Sequence, residues 1–318
     1  MKRIQKAIMV LAVLTQVSII VGCVGHVLAG IPLQKQVAGG GTVNLPAGTM
    51  NIDCNSQLTI TQTTTLVGQG RDVTVLNDSC PTGDTVLVSL TNTAVVLIKD
   101  VGITHVGGTD VRLTGGTGCC DTIVKRTLRL ESVDLEGATN CLESDGQNLL
   151  FVEGSFVHAC TNDGAQLGSF GVTLHDNWIG QNGHNGVTFV GTGFCAACTG
   201  NEYWLNAAHG LVYDVTTADA RHVGDYIDSN GDVGLVVNGV RDFTFNDGWI
   251  GSNQNGGATI GNTQIGTVLV GNITNNFGPS LVLTQTTGPF RISGNVSSLK
   301  RVSCDAIING TCVDLNTM

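Results

Sequence analysis

The chain is poor in what builds helices and in what binds polyanions. Of its 318 residues, 13% are charged, and 15 lysines and arginines stand against 25 acidic residues. The formal net charge is −10. So few cations leave no footprint for a phosphate backbone, which excludes nucleic acid as a partner. An acidic sugar polymer would likewise need a local basic patch that the overall charge does not supply. Prolines number 5 and aromatic residues make up 5%. Beyond the N-terminus no stretch is rich in Ala, Glu, Lys and Leu, the strong helix formers. Val, Thr, Asn and 44 glycines dominate instead, a composition of strands and turns. Apolar residues make up 42% and are spread along the chain, which excludes disorder.

The N-terminus reads as an export signal over residues 1–29. Met1–Lys6 is basic and Ala7–Val24 is apolar. Val27-Leu28-Ala29 suits signal-peptidase cleavage. Ile20-Val21-Gly22-Cys23 resembles a lipobox in which Cys23 would be lipidated. An uncleaved anchor is disfavoured by Thr15, Gln16 and Ser18 within a short span. Each reading exports the domain, to a secreted, periplasmic or cell-surface location, with the membrane touched only through the leader or a lipid at Cys23. Of 11 cysteines, ten lie beyond the leader, an even number that suits disulfides under oxidising conditions. Cys304 and Cys312 could close a terminal loop. Cys195-Ala196-Ala197-Cys198 has no second CxxC beside it, so a structural disulfide or buried thiols outweigh a zinc or redox role.

A repeat organises the rest. "DNWIGQNGHNGVTFV" from Asp176, "NEYWLNAAHGLVYDV" from Asn201, "DYIDSNGDVGLVVNG" from Asp225 and "GWIGSNQNGGATIGN" from Gly248 share one grammar. An aromatic or apolar pair is followed by Asn, a polar turn, Gly and an alternating strand. Asn182, Asn206, Asn230 and Asn253 mark it at spacings of 24, 24 and 23. Cys160 and Gly137 extend the column backward and Asn276 forward. Short strands at this period predict a solenoid, specifically a parallel β-helix. Leu142, Ala165, Val187, Leu211, Leu235 and Ala258 form one inward column. Ser144, Leu167, Phe189, Tyr213, Val237 and Ile260 form the next. Glu143, Gln166, Thr188, Val212, Val236 and Thr259 alternate outward between them. The column Gly164, Gly186, Gly210, Gly234, Gly257 calls for positive φ or tight packing between coils. Thr114–Thr122 breaks the period and reads as a loop extruded between coils.

The stretches "GGGTVNLPAGTMNI" (Gly39–Ile52) and "LTITQTTTLVGQGRDVTVL" (Leu58–Leu76) resemble the start of right-handed β-helix proteins of the pectate-lyase-like superfamily. The resemblance spans residues 37 to about 300. It implies an all-β, single-stranded right-handed parallel β-helix with terminal caps. Residues 30–80 would form the N-terminal cap and first coils, 81–300 the helix and 301–318 the C-terminal cap. It also implies a polysaccharide as partner, and either a lyase, with calcium as its metal, or a glycoside hydrolase. The alternative is a non-catalytic surface or adhesive scaffold that binds glycan. A tailspike-like protein is a third option, against which the export signal speaks.

The candidate site follows from the outward columns. Asn162, His184, Asp232 and Asn255 fall in one column, with Asp163 and His209 beside it. Asp163, His184 and Asp232 are the catalytic candidates, with Arg221 as the basic group in sequence reach. Asn162 and His209 would bind substrate. Asn162-Asp163 and Gly183-His184-Asn185-Gly186 match the hydrolase pattern only in part, with no adjacent Asp pair and no Arg-x-Lys. The competing reading of these turn residues is a structural ladder between coils. Phe156, Trp178, Tyr226 and Trp249 share another column, interrupted by Glu202. Facing outward, Trp178, Tyr226 and Trp249 would stack on sugar faces.

Overall fold

A computed structural model describes residues 32–91, 93–115, 126–215, 219–263, 266–284, 290–298, 306–308 and 311–313. The leader, most of the stretch Thr114–Thr122, Cys304 and the side chain of Cys312 lie outside what it describes. No helix among the described residues is long and apolar enough to cross a membrane.

The chain winds as a parallel β-solenoid whose coils each place one strand on each of three faces. The first face holds strands such as Leu149–Glu153, Gly171–His175 and Cys195–Thr199. The second holds Phe156–His158, Trp178–Gly180 and Glu202–Trp204. The third holds Ala165–Leu167, Val187–Gly191 and Leu211–Val215. Among the described residues, first and second faces join into one sheet of 20 strands, and the third is a sheet of 12. A short helix, Leu33–Ala38, lies against the strand Leu58–Ile60, with Gln34 hydrogen-bonded twice to the Thr59 backbone. At the other end Thr311–Val313 pairs antiparallel with Ala306–Ile308, the last parallel strand of the third face.

The register matches the repeat. Leu142, Ala165, Val187, Leu211, Leu235 and Ala258 are successive partners, as are Ser144, Leu167, Phe189, Tyr213, Val237 and Ile260. Both columns are buried, while Glu143, Gln166, Thr188 and Val212 between them are partly exposed.

Each coil turns from face to face at a single left-handed residue. Between first and second faces this is Asp100, Ser132, Asp176 or Asp247, at φ of 52–55°, or in the intervening coils Gly154, Gly200 or Gly224, at 57–69°. Between second and third it is Ala159, Gln181, Leu205, Ser229, Ser252 or Asn275, at 54–62°. One left-handed residue reverses the pleat and bends the chain without a loop. Buried asparagines then follow the bend. The Asn182, Asn206, Asn230 and Asn253 amides each donate to the next coil's Asn Oδ1, ending on Asn276, at 2.8–3.0 Å. A second ladder runs Asn177–Asn201–Asp225 at the other bend. These bonds satisfy amides that burial would otherwise penalise.

The glycine column has the second of its two expected causes. Gly164, Gly186, Gly210, Gly234 and Gly257 are not at positive φ. Each lies under the ladder, and a Cβ on Gly186 would sit 2.5 Å from the Gly210 carbonyl oxygen and 2.8 Å from Asn206 Nδ2. Where the ladder begins, Cys141 occupies the glycine position and Cys160 the asparagine position, and the two form a disulfide. Cys54–Cys80 and Cys195–Cys198 are also bonded.

Candidate functional site

The outer surface of the second face is built by strand alternation. Val157, Ile179, Tyr203, Ile227 and Ile250 point in and are buried. Their neighbours must point out. One outward column runs Gly102, Asp134, Phe156, Trp178, Glu202, Tyr226, Trp249. The other runs Thr104, Glu136, His158, Gly180, Trp204, Asp228, Gly251. All three tryptophans of the chain therefore stand on this face. Phe156, Trp178 and Trp204 follow one another with ring centroids 5.7 and 6.0 Å apart, and Tyr226 and Trp249 at 6.4 Å. Five successive coils thus carry one of these aromatics each, a strip roughly 19 Å long at the usual strand spacing.

Trp178 and Trp249 are each held by the glycine two residues on. A Cβ at Gly180 would lie 3.3 Å from Trp178 Cζ2, and at Gly251 2.4 Å from Trp249 Cζ2. Each indole thus lies across its own strand in the motif Trp-Ile-Gly. The Trp249 Nε1–H also donates to Thr274 Oγ1 at 3.1 Å.

One end of the strip carries ionisable groups. His158 Nε2 is 2.9 Å from Asp134 Oδ1, and the His158 ring centroid is 5.7 Å from that of Trp178. Burial pulls the imidazole pKa down, but the Asp134 bond and charge and the nearby Glu136 charge outweigh it, leaving it above 6.5. Glu136 itself is exposed. Beneath them Asp110 is fully buried, with the Glu136 backbone amide beside its carboxyl group. Burial, then the charges of Asp134 and Glu136, push its pKa well above 3.8, so its neutral acid form is favoured. Arg71 reaches over this end, 3.6 Å from the Phe156 ring centroid, and donates to the Gly154 carbonyl at 3.1 Å.

The residues singled out in the sequence fall in three places. Trp178, Tyr226 and Trp249 lie on the aromatic strip. Asn162, Asp163, His184, His209 and Asp232 lie at the bend between second and third faces. There His184 Nδ1 is 2.6 Å from Asp163 Oδ1, and Asp163 also accepts from the Asn185 amide at 3.0 Å and from Thr188 Oγ1 at 2.7 Å. Three partners hold this nearly buried carboxylate, while the imidazole is half exposed. The Asn162 amide donates to Asn140 Oδ1 at 2.9 Å. Asp232 accepts from Asn255 at 3.0 Å and lies 3.9 Å from His209 Nε2. Arg221 is on the first face, paired in register with Thr244, and is not brought to this group. Trp204, Glu136, Asp134 and His158 were not singled out. The signal for Trp204 was its place two residues beyond Glu202, on the same strand face.

Among the described residues, one set of metal-ligating atoms converges within 4.8 Å: Cys195, Cys198 and His222. The sulfurs form a disulfide and all three side chains are buried. A bulge opposite Val172 and Thr173 turns both cysteines inward, where strict alternation would oppose them. His222 bridges Asp225 and Tyr213 at 2.6 Å each. This group belongs to the core.

The fold is that of a parallel β-helix protein, as the sequence resemblance implied. No family model and no curated protein matches the sequence. Solved structures do. The A-module of mannuronan C-5 epimerase AlgE4 from Azotobacter vinelandii aligns at TM-score 0.67 and 18% identity, over 85% of this chain and 83% of that one. The AlgE6 A-module from the same organism aligns at TM-score 0.51 and 15% identity, over 86% and 91%. Tailspike protein 2 of Escherichia coli O157:H7 bacteriophage CAB120 aligns at TM-score 0.52 and 12% identity, over 88% of this chain and 44% of that one. At these identities the likeness is one of fold.

Proposed function

We propose that this protein is an exported β-helix that binds a neutral polysaccharide along its second face and hydrolyses it at the acidic end of the aromatic strip. The observation that carries the reading is the strip itself. Aromatic side chains from five successive coils stand on one outer surface, spaced along the axis of a rod. Rings presented in this way suit the CH faces of consecutive sugars. Export is supported by the leader and by the three disulfides.

The charge of the surface favours a neutral glycan. Asp134, Glu136, Glu202 and Asp228 on this face outnumber the nearby Arg71 and His158 cations, so a polyuronate would meet net repulsion. That departs from the mannuronan in the name of the AlgE4 and AlgE6 neighbours.

Hydrolysis needs one group to protonate the leaving oxygen and another to activate water. His158, whose protonated form Asp134 favours, donates a proton to the glycosidic oxygen. Glu136, two residues beyond Asp134 on the same strand face, takes a proton from the attacking water. Water adds across the broken C–O bond, and both proton carriers are reset by exchange with solvent. In this reading Asp163, His184, Asn162, His209 and Asp232 serve the ladder between coils, and Arg221 takes no part.

The test is product analysis on neutral glycans such as glucans, mannans and galactans, with pectin and alginate as charged controls. New reducing ends from a neutral glycan, absent in Glu136→Gln, support the reading. Ultraviolet-absorbing unsaturated ends would mark a lyase instead and overturn it. Binding without any product would leave the scaffold alternative in place of the hydrolase.

A further inference from the structure

We infer that Cys195, Cys198 and His222 form a site for a thiophilic divalent metal of the zinc class in the dithiol form of the chain. The disulfide is the other state of the same two sulfurs. The inference does not rest on the reading of the second face.

The disulfide has little to do as a staple. Cys54–Cys80 and Cys141–Cys160 join residues 26 and 19 apart in sequence, and each ties one coil to the next. Cys195–Cys198 joins residues 3 apart within the single strand Cys195–Thr199 and ties no coil to another. Of the three, a cross-link over so short a loop constrains the unfolded chain least. Yet the strand departs from alternation, through the bulge opposite Val172 and Thr173, and both sulfurs enter the core.

The next coil supplies the third ligand. His222 is the register partner of Cys198 and is fully buried. A ring nitrogen and the two sulfurs lie within 4.8 Å of one another. His222 Nδ1 is 2.6 Å from Asp225 Oδ2, and Asp225 Oδ1 accepts from the Asn201 backbone and side-chain amides at 2.7 and 3.0 Å. A carboxylate so placed accepts from Nδ1–H, which leaves the lone pair on Nε2. The same bond orients the imidazole ligands of metals. Nε2 faces the Tyr213 hydroxyl at 2.6 Å, and a metal would take that nitrogen from the Tyr213 proton. The Cys-x-x-Cys thus lacks a second such motif but has an imidazole one coil on.

Two thiolates and an imidazole are a soft set that favours zinc over calcium or magnesium. On loading, the two thiols release two protons, and both sulfurs and Nε2 give lone pairs to the metal. On oxidation the sulfurs bond to each other, two electrons pass to a small-molecule disulfide that leaves as two thiolates, and the metal is released. The two states exclude each other, so the chain holds metal where thiols are kept reduced and the disulfide where they are not. All three side chains are 0% exposed, so the metal enters, or the disulfide forms, as the chain folds.

The test is refolding of the full chain from denaturant under a phosphine reductant, without oxygen, in the presence of Zn²⁺ or Co²⁺, followed by desalting. One ion per chain is expected to remain, and the cobalt form to show a near-ultraviolet sulfur-to-cobalt band. The band should be lost in Cys195→Ala/Cys198→Ala, and affinity measured by chelator competition should fall tenfold or more in His222→Gln. Wild type refolded with a glutathione disulfide couple should retain no metal. The double variant breaks no link between coils, so it keeps the test valid if His222→Gln fails to fold. The inference is overturned if the reduced chain retains no ion, or if the oxidised chain retains one too. It is also overturned if His222→Gln binds as the wild type does, or if the double variant keeps the ion and the band, which would assign them to other cysteines.

Discussion

The His158 imidazole faces the Asp134 carboxylate across one coil step, Nε2 to Oδ1 at 2.9 Å, at the end of a strip of stacked aromatic residues. The same contact that sets the protonation of His158 joins two coils, so it has a signature in stability as well as in activity. The folded pKa is raised above 6.5. Its contribution is therefore fully present below the unfolded pKa of about 6.5 and is lost as pH rises through the higher folded value. The difference in unfolding free energy between wild type and His158→Gln should shrink as pH rises across that window. A difference that stays constant with pH would contradict the contact.

Asp110 offers a test of opposite practical sense. Its folded pKa lies well above 3.8 because it is buried and faces the charges of Asp134 and Glu136. The unfolded chain releases this proton near pH 4 while the folded chain keeps it. Stability therefore falls as pH rises above 3.8. Asp110→Asn, which carries no such proton, should gain on the wild type from pH 4 to pH 7 in denaturant titrations.

The asparagine ladder should be costly to break. Asn206 Oδ1 accepts from the Asn182 backbone and side-chain amides, and its own amide donates to Asn230 and to the Ile179 carbonyl. Asn206→Ala would orphan the buried Asn182 donors and take a donor from the Asn230 and Ile179 oxygens, at about 1–3 kcal/mol for each group left unpaired, though repacking offsets part of this. Chemical denaturation is expected to show a loss of about 2–4 kcal/mol.

Gly251 is expected to separate the platform from the fold. A methyl group there meets Trp249 at 2.4 Å and the Thr274 carbonyl at 2.8 Å. Gly251→Ala should displace the indole, lower glycan affinity several-fold, and reduce stability by about 1–3 kcal/mol, the usual range for overpacking. Trp249 fluorescence would report the displacement directly.

The core was legible in the sequence because a solenoid repeats its inward columns. The partners Leu142 to Ala258 and Ser144 to Ile260 follow from spacing alone. The ladder of Asn182, Asn206, Asn230 and Asn253 marked the repeat, but its role did not show, since a polar residue at a bend reads as solvated until its burial is known. The cause of the glycine column was open for the same reason: the ladder amides that crowd it belong to the next coil. Whether Trp178, Tyr226 and Trp249 face out or in was open in the sequence, with their apolar neighbours Ile179, Ile227 and Ile250 favouring the outward pose. Trp204 escaped because Glu202 interrupts its coil's place in the aromatic column and Trp204 sits one column over. Asp134, Glu136 and His158 lie where the repeat is weakest, next to the irregular stretch after Thr114, and two are separated in sequence by a full coil. Cys195 and Cys198 defied alternation because a bulge has no sequence period.

The most direct test is equilibrium binding of a neutral polysaccharide panel, read by tryptophan fluorescence and by affinity electrophoresis, in wild type and in Trp178→Ala and Trp204→Ala. Binding of a neutral glycan with a change in tryptophan emission, weakened about tenfold or more (about 1.4 kcal/mol) in each variant, is the expected result. Wild-type affinity in both variants, or binding confined to uronate polymers, would contradict a neutral glycan lying along the second face.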